Sequence, residues 1–277
     1  MKEINLGYWK HRIGLFNSPL KYFTSRYLSI GNVGDLFNED IVRYLYGENI
    51  KITNNPQKPK LLLVGSIASY TNDRNDLLAG VGFKRNDEKI KKINFDQLYG
   101  LRGPLSLEKI RLDNPSLTSK FLLDPGLLVC EVLHKYINND QKRVGIAHTP
   151  IHNYRYKANN FEFNSSFIDV DNNPKKFIDQ LQRFEYLVTS SLHGYIFGRA
   201  LGLKSTLYLP DEIHNEENFY KYKDFLLSIG ENCTIFKQSE LTKEIILASK
   251  TSRVEFCLSD FYFPTAEELI SRGIATP

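Results

Sequence analysis

The feature that most limits what this chain can fold into is a recurring unit: a short apolar run, a turn of Gly, Ser, Asn or Asp, then an amphipathic stretch. It is clearest over residues 167–209. There FIDV (167–170), EYLVTSS (185–191) and STLYL (205–209) alternate with NNPKKFIDQLQRF (172–184) and HGYIFGRALG (193–202). Short apolar runs separated by helical periodicity predict a β-α-β-α-β half of a doubly wound parallel sheet. Asn173 is placed to cap the first helix with Pro174 in its first turn, and Gly202 to end the second.

The unit also runs through the first half. SIGNVGD (29–35) leads into a helix carrying Leu36, Ile41, Leu45 and Tyr46 mainly on one face, with Gly47 as its stop. KLLLVGS (60–66) predicts a strand reaching a glycine turn, and GVGF (80–83) a further short strand. QLYGLRGPLSLEKIRL (97–112) predicts strand, turn and helix, with Pro104 in the first turn. FLLDPGLLV closes the half around Asp124-Pro125-Gly126, and the polar HKYINNDQK (134–142) is the expected linker before RVGIAHT restarts the pattern. Later helices are expected at 216–229, 239–248 and 265–272. A chain of 277 residues is long for one compact core. The expected architecture is therefore α/β with two Rossmann-like lobes and an interlobe cleft. The first lobe is set at 1–137 and the second at 138–255, with a C-terminal helical tail at 256–277 packing back on the first.

Composition matters mainly for what it excludes. With 42% apolar and 25% charged residues the chain is of the folded, core-forming kind. A formal charge of +4 permits an anionic substrate or membrane surface but falls short of a nucleic-acid footprint, so no nucleic-acid partner is expected. Cys130, Cys233 and Cys257 are far apart and form no CxxC pair, so neither a disulfide framework nor a metal site is expected. The N-terminus lacks a continuous apolar segment, and no apolar run is long enough to span a bilayer. The expected location is the cytoplasm.

In an open α/β sheet, ligands sit beyond the carboxyl ends of the strands, so the residues just after each apolar run are the informative ones. They are Asn32, Gly34 and Asp35; Gly65 and Ser66; Arg102 and Gly103; Asp124; His148; and Ser190, Ser191 and His193. GNVGD either frees backbone N–H groups to hold an anion at a helix N-terminus or is a tight turn capped by Asp35. It has neither the full GxGxxG spacing nor the lysine-serine pair of a P-loop. Arg102 either grips a carboxylate or phosphate through two parallel hydrogen bonds or makes a surface salt bridge. Ser106 is expected on the helix surface. His193 falls in the first helical turn after a strand, where an imidazole can exchange a proton near neutral pH or simply finish a turn. Gly194 follows it. His148, His152 and Tyr154, in AHTPIHNYRY (147–156), belong to either an acceptor-binding loop or an ordinary surface loop.

Taken in order, these pieces resemble the polysaccharide pyruvyl transferase family. The matching stretches are Trp9-Lys10, NVGDLFN (32–38), VGS (64–66), LRGPLS (101–106), DPGLL (124–128) and SSLHGYIFGRALG (190–202). The resemblance implies transfer of the enolpyruvyl unit of phosphoenolpyruvate to two hydroxyls of a sugar, giving a cyclic pyruvate ketal. It also implies a glycosyltransferase-B-like fold with the site in the cleft and no cofactor beyond the phosphoenolpyruvate co-substrate. Arg102 and His193 then fall on catalytic positions. The donor is expected near Asn32, Gly34, Asp35, Gly65, Ser66, Ser190, Ser191 and Gly194, and the acceptor near His148, His152 and Tyr154. The implied acceptor is a bacterial-type surface polysaccharide, such as a capsule or exopolysaccharide, or its lipid-linked precursor. Peripheral association with the inner membrane face fits such a precursor. One departure stands out: some relatives carry arginine where this chain has Ser191, so another cation has to serve here, and Arg199 and Lys204 lie nearby in sequence. Two competing readings are a glycosyltransferase using a nucleotide sugar, with Glu212, Glu216 and Glu217 as its acidic clamp, and a non-catalytic glycan-binding protein.

Overall fold

The computed structural model describes residues 1–9, 32–90, 92–151, 161–232, 234–250 and 252–277. Lys10, His152, Tyr154 and Cys233 lie outside these residues. The fold is mixed α/β, with parallel sheets flanked by helices. In the first half, β1 (Glu3–Asn5) pairs in parallel with β2 (Lys51–Thr53). The strands β3 (Leu61–Leu62), β4 (Leu77–Ala79), β5 (Leu98–Leu101) and β6 (Phe121–Leu122) follow as a parallel set in that order. A parallel bridge between Leu6 and Leu61 joins the two groups. Strand β4 lies just before the expected GVGF run. Gly80 and Gly82 instead continue from the strand end, their N–H groups reaching Gly100 O and Gly65 O.

The second sheet contains β7 (Ile146–Thr149), β8 (Ser166–Phe167), β9 (Tyr186–Thr189), β10 (Lys204–Leu209) and β11 (Phe236–Lys237). All are parallel, in the spatial order β11-β10-β9-β7-β8. Winding therefore reverses between β7 and β9, and a crevice opens at such a switch point beyond the strand ends. At the C-terminus β12 (Ala275–Thr276) runs antiparallel to β1. The short N-terminal strand carries too few alternating residues to show in sequence.

The helices follow their local signals. Asn32 caps α1 (Val33–Tyr46), and Gly47, at φ 120°, ends it. Pro104 opens α2 (Pro104–Arg111), and a single turn, α3 (Val129–Val132), follows the Asp124-Pro125-Gly126 corner. Asn173 caps α4 (Pro174–Leu181) with Pro174 in the first position. Then come α5 (Leu192–Ala200), α6 (Glu216–Ser228), α7 (Lys243–Leu247) and α8 (Ala266–Ser271). Among the described residues no helix is long and apolar enough to cross a membrane.

One continuous core runs under both sheets. Phe197 of α5 meets Phe37 of α1 edge-on at 5.2 Å and Phe177 of α4 at 6.2 Å, so helices from both halves share it. Asn38 fixes α1 to the end of β3. Its Oδ1 accepts from Val64 N–H at 2.9 Å while its Nδ2 donates to Val64 O at 3.0 Å. Asn38→Ala leaves both backbone groups buried and unpaired, a cost of about 2–5 kcal/mol. Urea unfolding should show this loss; a change below about 1 kcal/mol would contradict it.

Candidate functional site

The switch point of the second sheet supplies the first wall. The Thr149 hydroxyl, ending β7, donates to the Thr189 hydroxyl, ending β9, at 2.6 Å. Ser190 Oγ accepts from Ile151 N–H at 2.7 Å, and Ser191 Oγ caps α5 by accepting from Gly194 N–H at 3.2 Å. The turn presses so closely on the threonine pair that a Cβ at Gly194 would stand 2.7 Å from Thr149 Oγ1. His193 is thereby fixed in the first turn of α5, facing α1.

The first turn of α1 meets it. Asn32, rather than Asp35, is the cap, its Oδ1 accepting from Gly34 N–H at 3.0 Å. Val33 N–H donates to Val170 O at 2.8 Å, hooking the helix start onto the second half of the chain. A Cβ at Gly34 would lie 2.0 Å from His193 Nδ1, so only glycine lets the imidazole come this close. Two positive helix ends converge on one ring, which favours an anion beside it. Asp124 supplies a carboxylate: its Oδ1 accepts from Gly126 N–H at 2.8 Å, and its Oδ2 lies 3.8 Å from His193 Nε2. Asp124 Oδ2 and His193 Nε2 are buried with no hydrogen-bond partner among the described residues. A buried acceptor and a buried ring nitrogen left open toward each other are a costly arrangement outside a functional site.

Arg102, at the end of β5, is fully buried and engaged on several sides. Nε donates to Asp224 Oδ2 at 3.0 Å, Nη1 to Ser66 Oγ at 2.8 Å and Nη2 to Phe83 O at 2.5 Å. Asp224, on α6, also accepts from Ser106 N–H at 3.0 Å and Ser106 Oγ at 2.6 Å. Ser106 is therefore buried, not on the helix surface as its position suggested. A Cβ at Gly103 would strike Asp224 O at 2.0 Å, so the glycine admits the α6 backbone. LRGPLS thus docks α6 onto the first sheet, and Arg102 reaches the site mainly by holding Ser66.

Next to Ser66, Gly65 (φ +126°) passes beneath Asp35, whose Oδ1 lies 3.4 Å from the place of a Gly65 Cβ. Burial pushes the Asp35 carboxyl up to about 7. A backbone hydrogen bond from Trp9 opposes this, the Asp171 charge adds to it, and Lys221 on α6 offsets part of it. Lys221 is pushed down to about 7 by burial and by the Lys84 and Arg102 charges, with Asp35 opposing. Sequence inspection missed Lys221: it follows no strand, and a lysine in a helix reads as surface.

Other expected residues stand elsewhere. His148 is buried within β7 against Phe161, its Nε2 bonded to Tyr208 OH at 2.6 Å, and burial drives its pKa down to about 3. It is a neutral core side chain, not an open acceptor contact. Arg199 is held by Glu231 at 2.6 and 2.7 Å and by Tyr195 OH at 2.8 Å, and Lys204 by Glu185 at 2.7 Å. Neither replaces a cation at Ser191. Glu216 pairs with Lys223, and Glu217 with Arg85 at 3.1 Å.

Over residues 32–208 the sequence matches the polysaccharide pyruvyl transferase family. An uncharacterized protein of Acanthamoeba polyphaga mimivirus is 26% identical over 227 residues, covering 75% of this chain and 77% of that protein. No solved structure gives a significant match.

Two outcomes follow from the geometry. Asp224→Ala strands Arg102 as a buried, unpaired cation and should cost about 3–5 kcal/mol in urea unfolding. A loss below about 1 kcal/mol would mean that Arg102 is not a docking residue. For Asp35 the sign follows from the raised pKa. Between about 4 and 7 the native carboxyl holds a proton that the unfolded chain has released, so stability falls as pH rises and the penalty is complete above about 7. Asp35→Asn should therefore raise the thermal midpoint at pH 8 and leave it nearly unchanged at pH 4; the reverse order would refute the shift.

Proposed function

The chain belongs to the polysaccharide pyruvyl transferase family, and we propose from that premise that phosphoenolpyruvate is its donor and a sugar ketal its product. Pyruvyl transfer to polysaccharide is the activity that family membership carries. The two parallel-sheet units are taken as the lobes of a glycosyltransferase-B-like arrangement, with the donor at their seam.

The observation that carries this reading is His193, held between two helix N-termini with its Nε2 open toward the equally unpaired Asp124 Oδ2. A compact dianion with a carboxylate suits converging helix ends, which stabilise negative charge without side-chain movement. In the proposed reaction the methylene carbon of the donor takes a proton, and positive charge develops at the neighbouring carbon. One sugar hydroxyl adds there, and the carbon–oxygen bond to phosphate breaks with its electrons leaving on phosphate. The second hydroxyl then closes the ring. Of the two hydroxyl protons, one is balanced by the new methyl group and the other by inorganic phosphate.

His193 is positioned to carry the proton, with Asp124 stabilising the imidazolium so formed. Asp35, a carboxyl that shares its proton near pH 7, is the second group able to exchange one at this seam. Arg102 acts through Ser66 and α6, as a positioning residue.

Incubation with phosphoenolpyruvate and a panel of polysaccharides and lipid-linked oligosaccharides should give a pyruvate ketal and stoichiometric inorganic phosphate. His193→Gln should lower kcat by about 10²- to 10⁴-fold. Release of phosphate at the wild-type rate from that variant, or no ketal from the wild-type protein with any acceptor, would overturn the proposal.

A further inference from the structure

We infer that Lys221 is the cation that holds the phosphate of the donor, an assignment that rests on the donor-binding reading above. Three bonds of α6 fix where this lysine stands. Asp224 is tied to Arg102 at 3.0 Å, Tyr220 OH donates to Leu105 O at 2.8 Å, and Tyr222 OH donates to Ser190 O at 2.6 Å. The helix therefore spans the seam, bonded to the first sheet by one face and to the second by the next.

Lys221 lies one turn before Asp224 and so shares its side of the helix, toward the end of β5. Its stem is partly buried, and its ammonium lies 4.7 Å from the centroid of the Tyr222 ring. The charges acting on it are Lys84 and Arg102, of like sign, and Asp35, of opposite sign. These belong to the loop after β4, the end of β5 and the first turn of α1. Lys221 thus feels two like charges and one half-buried carboxylate.

Arg102 and Lys221 differ in their partners. Arg102 is neutralised by Asp224. Among the described residues, Lys221 has no carboxylate or carbonyl within hydrogen-bond range. An ammonium taken partly out of water beside like charges is disfavoured, and an anion of charge −2 or more offsets that. The phosphate of the proposed donor meets that charge condition, and the donor's carboxylate is then assigned to the helix ends at Gly34 and His193.

The test uses the full chain with Lys221→Gln and Lys221→Arg, and two probes, inorganic phosphate and phosphoenolpyruvate, read by calorimetry and by steady-state kinetics. Lys221→Gln deletes an unfavourable charge and should fold. Its affinity for both probes should fall about 10- to 100-fold, with the loss appearing in KM for the donor more than in kcat, and Lys221→Arg should recover most of it. Wild-type affinity in Lys221→Gln, or no binding of either probe to the wild-type protein, overturns the inference. Lys221-dependent binding of both probes without ketal formation by the wild-type protein would sustain the anion site and overturn the proposed reaction instead.

Discussion

The buried pair of Arg102 and Asp224 is the interaction on which the rest of the structure depends. A fully enclosed guanidinium needs a carboxylate, and the carboxylate is borne by a helix from the other half of the chain. Gly103 admits that helix, and Ser106 satisfies the remaining carboxylate valences. Such a pair is a poor source of net stability but a stringent selector of geometry. Once it forms, α6 can lie in one place only, and Tyr222, Lys221 and the strand end at Ser190 are placed with it.

A second contact completes the seam. Helices α1 and α5 begin at the ends of different sheets, and their first turns meet through Gly34 and His193. Neither helix end is remarkable on its own. Together they bring two positive helix ends and one imidazole to a region that also holds Asp124 and, one residue on from Gly34, Asp35. Its described part is built by backbone and by buried or half-buried side chains held in place by helix starts, so little is lost in ordering them around a ligand.

Much of this was legible in the sequence. The repeated strand–turn–helix unit predicts the parallel sheets, and the rule that sites lie past strand ends picks out as candidates Gly34, Asp124 and His193, which the structure brings together, and Asp35, Ser66 and Arg102. What was not legible was the part each plays. Arg102 looks like a free ligand-binding cation, because its partner lies over a hundred residues away and nothing local marks Asp224 as buried. His148 follows the same positional rule as His193, yet its side chain points into the sheet's own core, a choice set by strand register and by Phe161 and Tyr208. Lys221 escaped because it sits in mid-helix, where spacing alone makes a lysine look solvated. The N-terminal strand escaped because its three residues hold no period.

The central claim is that one anionic donor is gripped from both sheets at once. Hydrogen exchange measured with and without phosphoenolpyruvate tests it most directly. The account predicts slowed exchange on binding in the first turns of both α1 and α5, together with α6 around Lys221. Protection confined to the elements of one sheet would contradict it.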